Sequence, residues 1–150
     1  NVYVAQVAMG ANPQQTLQAF REAEAYDGPS LILAYSHCIA HGFDLRNGLA
    51  QQDKAVASGY WPLLRYDPGM REIGEAPFRL DSPRPTLPFK DYAYNELRYR
   101  ALAASRPTEA EALLKQAQRA ILEKYHNYEE FAQMQAGPSP SKSTFGAGKG

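Results

Sequence analysis

The sequence predicts an α/β fold: a mostly parallel sheet with flanking helices, then an extended arm and C-terminal helices. Three observations carry it. Val2 to Ala8 is a Val- and Tyr-containing run without a charged side chain, the composition of a strand. Asn12-Pro13 and Gly28-Pro29 bracket a stretch of helical periodicity. Leu31 to Ala34 is a second short apolar run, so strand, helix and strand follow one another as a βαβ unit.

In order along the chain, neither face of Val2–Ala8 is charged, so both faces are expected to be covered. Met9-Gly10-Ala11 forms the turn after it. Asn12 is the N-cap of the first helix, Pro13 fits its first position, and Gln15 stands where a capping-box partner would close the pair. Leu17, Phe20 and Ala23/Glu24 follow the helical period, with Ala19 and Tyr26 widening the stripe. Gly28-Pro29 ends the helix. The run Leu31–Ala34 suits a strand buried on both faces.

After Gly42, Asp44 is the N-cap of a second helix with Leu45, Leu49, Gln52 and Val56 on one face and Ala55 beside them; Gly59 stops it. Tyr60 to Tyr66 reads as a third strand with Pro62 at its start or on an edge. A second β-α-β repeat is therefore expected. Asp67-Pro68-Gly69 is a turn. Pro77, Pro83, Pro85 and Pro88 then impose an extended arm. Such an arm lies over another domain or subunit, or is a solvated loop. Pro77 to Asp81 could form one short edge strand within it. Phe89 to Ala104 predicts a Tyr-rich third helix, broken at Ser105-Arg106-Pro107. The last helix is expected from about Thr108 to Gln135, with Thr108 and Glu111 as a second capping box. Gly137-Pro138 ends it, and the Gly-, Ser- and Pro-rich tail reads as disordered. The chain thus divides into residues 1–66, 67–136 and 137–150.

Charge and cysteine usage narrow the functional classes. Lys+Arg and Asp+Glu both number 16, so no global basic field attracts nucleic acid. No run approaches the ~20 apolar residues of a membrane span, and no signal peptide is evident. A single cysteine forms no internal disulfide, which suits a reducing, cytoplasmic setting. The chain opens inside a strand, as a piece of a longer polypeptide would.

The chemistry-bearing stretch is Ser36-His37-Cys38-Ile39-Ala40-His41-Gly42. It follows the second strand, and open α/β sheets bind ligands beyond the carboxyl ends of their strands. Cys38 has four readings. It is a buried structural cysteine, or a nucleophile served by His37 or His41. It is a zinc ligand with His41, which would need further ligands although His126 is the only other histidine. Or it is one thiolate of an iron–sulfur cluster completed from elsewhere. Gly10 to Pro13 lacks a phosphate-loop pattern, and the helix start at Asn12 reads as a cap. Glu22, Glu24, Glu109, Glu111, Glu129 and Glu130 read as solvated helix faces. The Tyr-rich helix reads as packing, since no basic stripe accompanies it.

Asn1–Thr16, Tyr26–Gly42 (Tyr-Asp-Gly-Pro-Ser-Leu-Ile-Leu-Ala-Tyr-Ser-His-Cys-Ile-Ala-His-Gly), Ser58–Leu63 and Phe89–Glu96 closely resemble pyruvate:ferredoxin (flavodoxin) oxidoreductases. The resemblance covers residues 1 to about 130 and is most specific in the second stretch. It implies that residues 1–66 are the C-terminal part of a thiamine-diphosphate-binding domain, and that residues 67–136 are a C-terminal extension reaching a partner subunit. It further implies that Cys38 is the fourth thiolate of a [4Fe–4S] cluster near thiamine diphosphate, with His37, Ile39 and His41 in the cluster pocket. The other thiolates and the Mg-diphosphate motif would lie outside this chain, so the chain alone would be inactive. The implied reaction oxidatively decarboxylates pyruvate with coenzyme A and passes electrons to ferredoxin or flavodoxin, in a homodimer. The competing reading is a non-catalytic, truncated or structural α/β module with a buried cysteine.

Overall fold

The computed structural model describes residues 1–133. The expected helix stop at Gly137-Pro138 and the tail lie outside the described residues. Four strands, β1 (Tyr3–Val7), β2 (Ser30–Ala34), β3 (Leu64–Tyr66) and β4 (Phe78–Leu80), form one sheet in the order β2-β1-β3-β4. Five helices accompany it: α1 (Pro13–Ala25), α2 (Gly48–Ala57), α3 (Phe89–Ala93), α4 (Leu97–Ser105) and α5 (Pro107–Gln133).

The first βαβ unit forms as expected. β1 and β2 are parallel, with Ala5 opposite Ile32. Asn12 caps α1: its Oδ1 accepts from Gln15 N–H at 2.9 Å, and Pro13 fills the first position. Gln15 does not close the box. Its amide donates instead to Asp81 Oδ2 at 2.9 Å. The helix stripe is also shifted. Ala19 and Thr16 are buried while Leu17 and Phe20 are exposed, because small residues let α1 approach β1 closely.

The sheet is mixed rather than mostly parallel. β3 returns antiparallel to β1, with Arg65 opposite Ala5, and β4 pairs antiparallel with β3. The second β-α-β repeat is therefore absent, and β3 sits on the far side of β1 from β2. β3 is also shorter than expected. Tyr60 to Leu63 form an approach in which Trp61 Nε1–H donates to Val7 O at 3.1 Å and Gln6 donates to Pro62 O at 2.7 Å. The Gln6 side chain of β1 and the Trp61 indole thereby hold a stretch that the ladder does not. The edge strand anticipated at Pro77–Asp81 is β4.

One sheet face carries Tyr3, Ala5 and Val7 against α1. There Arg65 is nearly buried and donates through Nε and Nη2 to both Asp81 oxygens at 2.8 Å. It also bonds Glu22, whose second oxygen accepts from Tyr3 O–H at 2.8 Å. Glu22 is thus a tie between α1 and the sheet, not a solvated carboxylate. Glu129 likewise bonds Arg84 at 2.6 Å. On the opposite face α5 covers β4, with Phe78 against Tyr128 and Phe131.

β2 departs most from expectation. Leu31 and Leu33 are 49% and 43% exposed, and only Ile32 packs against the α1-side core. The strand is not buried on both faces by the described residues.

The proline arm lies over the chain's own body. Asp67 caps a 3-10 segment over Pro68–Ile73. Thr86 and Leu87 N–H groups both reach Ala57 O, at 2.9 and 3.1 Å. Tyr125 O–H donates to Ser82 O at 2.8 Å, fastening the arm to α5. The expected third helix is two helices, α3 and α4, interrupted between Tyr94 and Glu96. α5 starts at Pro107, one residue earlier than expected.

Candidate functional site

The site is built at the carboxyl end of β2. Tyr35 N–H continues the ladder to Val7 O at 2.9 Å. Its ring stands edge-on to Trp61 and its hydroxyl meets the Tyr92 hydroxyl at 2.8 Å. Burial pushes the Tyr35 phenol up, and burial together with the Tyr35 bond does the same for Tyr92. β2 therefore hands the chain on through an apolar anchor, and Cys38 lies three residues beyond it.

A tight turn follows. His41 N–H donates to Cys38 O and Gly42 N–H to Ile39 O, both at 3.0 Å. Gly42 takes φ +70°, a left-handed conformation natural to glycine, and a Cβ there would overlap Leu97 Cβ. Gly42 O accepts from Leu97 N–H at 3.1 Å, so the start of α4 holds the far end of the turn. Asp44 then caps a short 3-10 turn, accepting from Arg46 N–H at 3.0 Å, before α2 begins. Leu45 and Leu49 are exposed, whereas Gln52, Ala55 and Val56 are buried as expected and Gln51 joins them. The two glutamines are accommodated there because both have polar partners inside. Gln52 Oε1 accepts from Gly10 N–H at 2.8 Å, and its amide lies 3.4 Å from His37 Nδ1.

The outcome for each predicted residue is specific. Cys38 is a free thiol and is exposed among the described residues, so this chain does not itself bury it. His37 packs edge-on against Phe43 at 6.0 Å between ring centroids and beside Gly48. His41 turns inward, with Nδ1 3.9 Å from Glu96 Oε1. His37 thus meets Gln52 and Phe43, while His41 Nδ1 is buried without a hydrogen-bond partner, 3.9 Å from the Glu96 carboxylate. Ile39 is exposed beside the cysteine. Among the described residues no group of three or more His, Cys, Asp and Glu could hold a metal ion.

Sequence reasoning missed Glu96. It is fully buried, accepting from Gln51 Nε2 at 3.0 Å and Arg98 Nε at 2.5 Å. A buried carboxylate with a cation and an amide donor is stabilised by them, and it would be costly without them. Its helical periodicity is ordinary, and the only clue was Asn95, a poor helix former immediately before it.

No family model matches the chain. The chain is 48% identical over 132 residues to a pyruvate-flavodoxin oxidoreductase of Nostoc, covering 88% of this chain and 11% of that protein. Against the pyruvate-flavodoxin oxidoreductase of Rhodospirillum rubrum it is 50% identical over 118 residues, covering 79% and 10%. Against the pyruvate:ferredoxin oxidoreductase of Moorella thermoacetica it is 44% identical over 132 residues, covering 88% and 11%. The chain spans about a tenth of the length of these relatives, and it is homologous to a segment of the pyruvate-flavodoxin and pyruvate:ferredoxin oxidoreductases.

Proposed function

We propose that this chain works as part of a pyruvate:ferredoxin or pyruvate:flavodoxin oxidoreductase, and that Cys38 supplies one thiolate to a [4Fe–4S] cluster. The observation carrying this reading is the exposed Cys38 thiol on a turn pinned at both ends, by Tyr35 and by Leu97. The donor type fits, since such clusters are held by cysteine thiolates, usually four. A single exposed sulfur fits one of those positions, with the remaining ligands coming from outside this chain.

When bound, the cluster supplies one-electron transfer. The residues here hold and shield. Ile39 adds an exposed apolar side chain next to the cysteine in sequence, while the backbone bonds within the turn and from Leu97 N–H to Gly42 O hold its shape. A fixed turn keeps the sulfur in place, and surrounding dipoles and burial tune a cluster's potential.

The whole polypeptide would convert pyruvate and coenzyme A to acetyl-CoA and carbon dioxide, releasing two electrons and one proton. Thiamine diphosphate with magnesium would carry the carbon chemistry, held by motifs outside this chain within a thiamine-diphosphate-binding domain to which residues 1–66 belong. Ferredoxin or flavodoxin would take the electrons. The assembly is a homodimer in the cytoplasm, where a lone thiol stays reduced. Among the described residues no helix is long and apolar enough to cross a membrane.

The test replaces Cys38 by Ala, and separately by Ser, in the full polypeptide. Iron content per chain and the reduced-cluster paramagnetic signal are measured. Loss of iron and of one cluster signal is expected in the Ala variant. Unchanged iron with an unchanged signal would reject the assignment.

A further inference from the structure

We infer that the outer edge of β2, with the apolar face beside it, seats a further β-strand supplied by polypeptide outside this chain. The inference rests on the reading that the chain works within a longer oxidoreductase. β2 is the terminal strand of the sheet. Tyr35 N–H points to β1. Backbone groups alternate in direction along a strand, so those of Leu31 and Leu33 also face β1 and those of Ile32 and Ala34 face outward. β2 has neither charge nor proline across Ser30-Leu-Ile-Leu-Ala34. It therefore lacks those devices by which finished edges avoid pairing.

The opposite edge shows the contrast. β4 has three residues, carries Arg79, and lies under α5 through Phe78. The sheet face that α5 covers at β4 is bare at β2, where Leu31 and Leu33 stand exposed. Leu31 and Leu33 leave an apolar strip open to water beside the unpaired edge, the kind of surface that marks an interaction site. The occupant must therefore bring both a strand and a cover.

A second copy of this chain does not meet that need. Joining two β2 edges would place one bare Leu31–Leu33 face beside another. Residues 137–150 do not meet it either, with Pro138, Pro140 and four glycines in a short run that disfavours a strand. The relatives meet it: about nine tenths of their length lies beyond the segment this chain matches.

The test is residue-resolved hydrogen exchange on the full polypeptide. The Ile32 and Ala34 amides should exchange as slowly as those of Leu31 and Leu33, several orders of magnitude below the rates of open chain. Ala34→Pro should lower the unfolding midpoint clearly, since it removes an outward donor without touching the β1 ladder. Fast exchange at Ile32 and Ala34 beside protected Leu31 and Leu33 would overturn the inference. So would protection lost on deleting residues 137–150, protection lost on dilution, or an Ala34→Pro midpoint that does not move. Iron content measured on the same sample separates the readings. Protected amides without iron reject the cluster assignment alone, and bound iron with open amides rejects the strand alone.

Discussion

β1 and β2 lie side by side, and the more apolar of the two is the less buried. β1, Tyr-Val-Ala-Gln-Val, alternates buried and half-buried residues. β2, Ser-Leu-Ile-Leu-Ala, has four exposed positions out of five. The difference lies in their neighbours. β1 is flanked on both edges and has α1 on one face, while β2 has a partner on one edge only. Hydrophobicity says what a strand requires, and the surrounding elements decide whether this chain supplies it.

Three measurements bear on that contrast, in decreasing size. The largest acts on the β1 side. Arg65→Met would leave Asp81 and Glu22 facing each other without their cation, a loss of about 3 kcal/mol. Urea unfolding of the protein reads it, and a midpoint equal to the parent's would show that β1 does not depend on this network.

A second effect comes from the buried phenols. Burial pushes Tyr99 up to about 12 and raises Tyr3, Tyr35, Tyr92 and Tyr125 as well. A group raised on folding favours the folded state below its unfolded pKa, near 10 for tyrosine. That contribution is lost as pH climbs through the folded value, since the unfolded chain releases the proton first. Stability should therefore fall steeply above about pH 10, with tyrosinate absorbance rising together with unfolding. Ordinary ionisation while the fold persists would contradict it.

The smallest effect is on β2. Leu33→Thr should change the stability of the 150-residue chain by no more than about 0.5 kcal/mol, as for surface substitutions elsewhere. A larger loss in the full polypeptide than in this chain would sharpen the contrast, because it would report a cover that only the longer protein has.

Local chemistry made much of this fold legible. Asn12 and Pro13 announced α1, and Pro77 to Asp81 marked β4, because caps and prolines act within a few residues. What depends on distant partners was not legible. The reversed direction of β3 follows from how the approach at Tyr60–Leu63 docks on Val7 and Gln6, which no period encodes. The break between α3 and α4 follows from sinking Glu96 beneath His41, whereas a helical pattern would have run straight through. At the site, the position of Cys38 after β2 was readable from the apolar run before it. Its exposure was not, since a lone cysteine carries no mark of inside or outside. Glu22 illustrates the same limit: its role appears only once Arg65 and Tyr3 arrive from other strands.

Gly42 and Leu97 constrain one another across the turn and the helix start. The backbone at Gly42 disfavours any side chain, and Leu97 fills the space one would occupy. Evolutionary drift at this pair is therefore one-sided: residue 97 has room to shrink, while residue 42 has nowhere to grow. A lineage that replaced this glycine would have to redraw the route from the cysteine to α2.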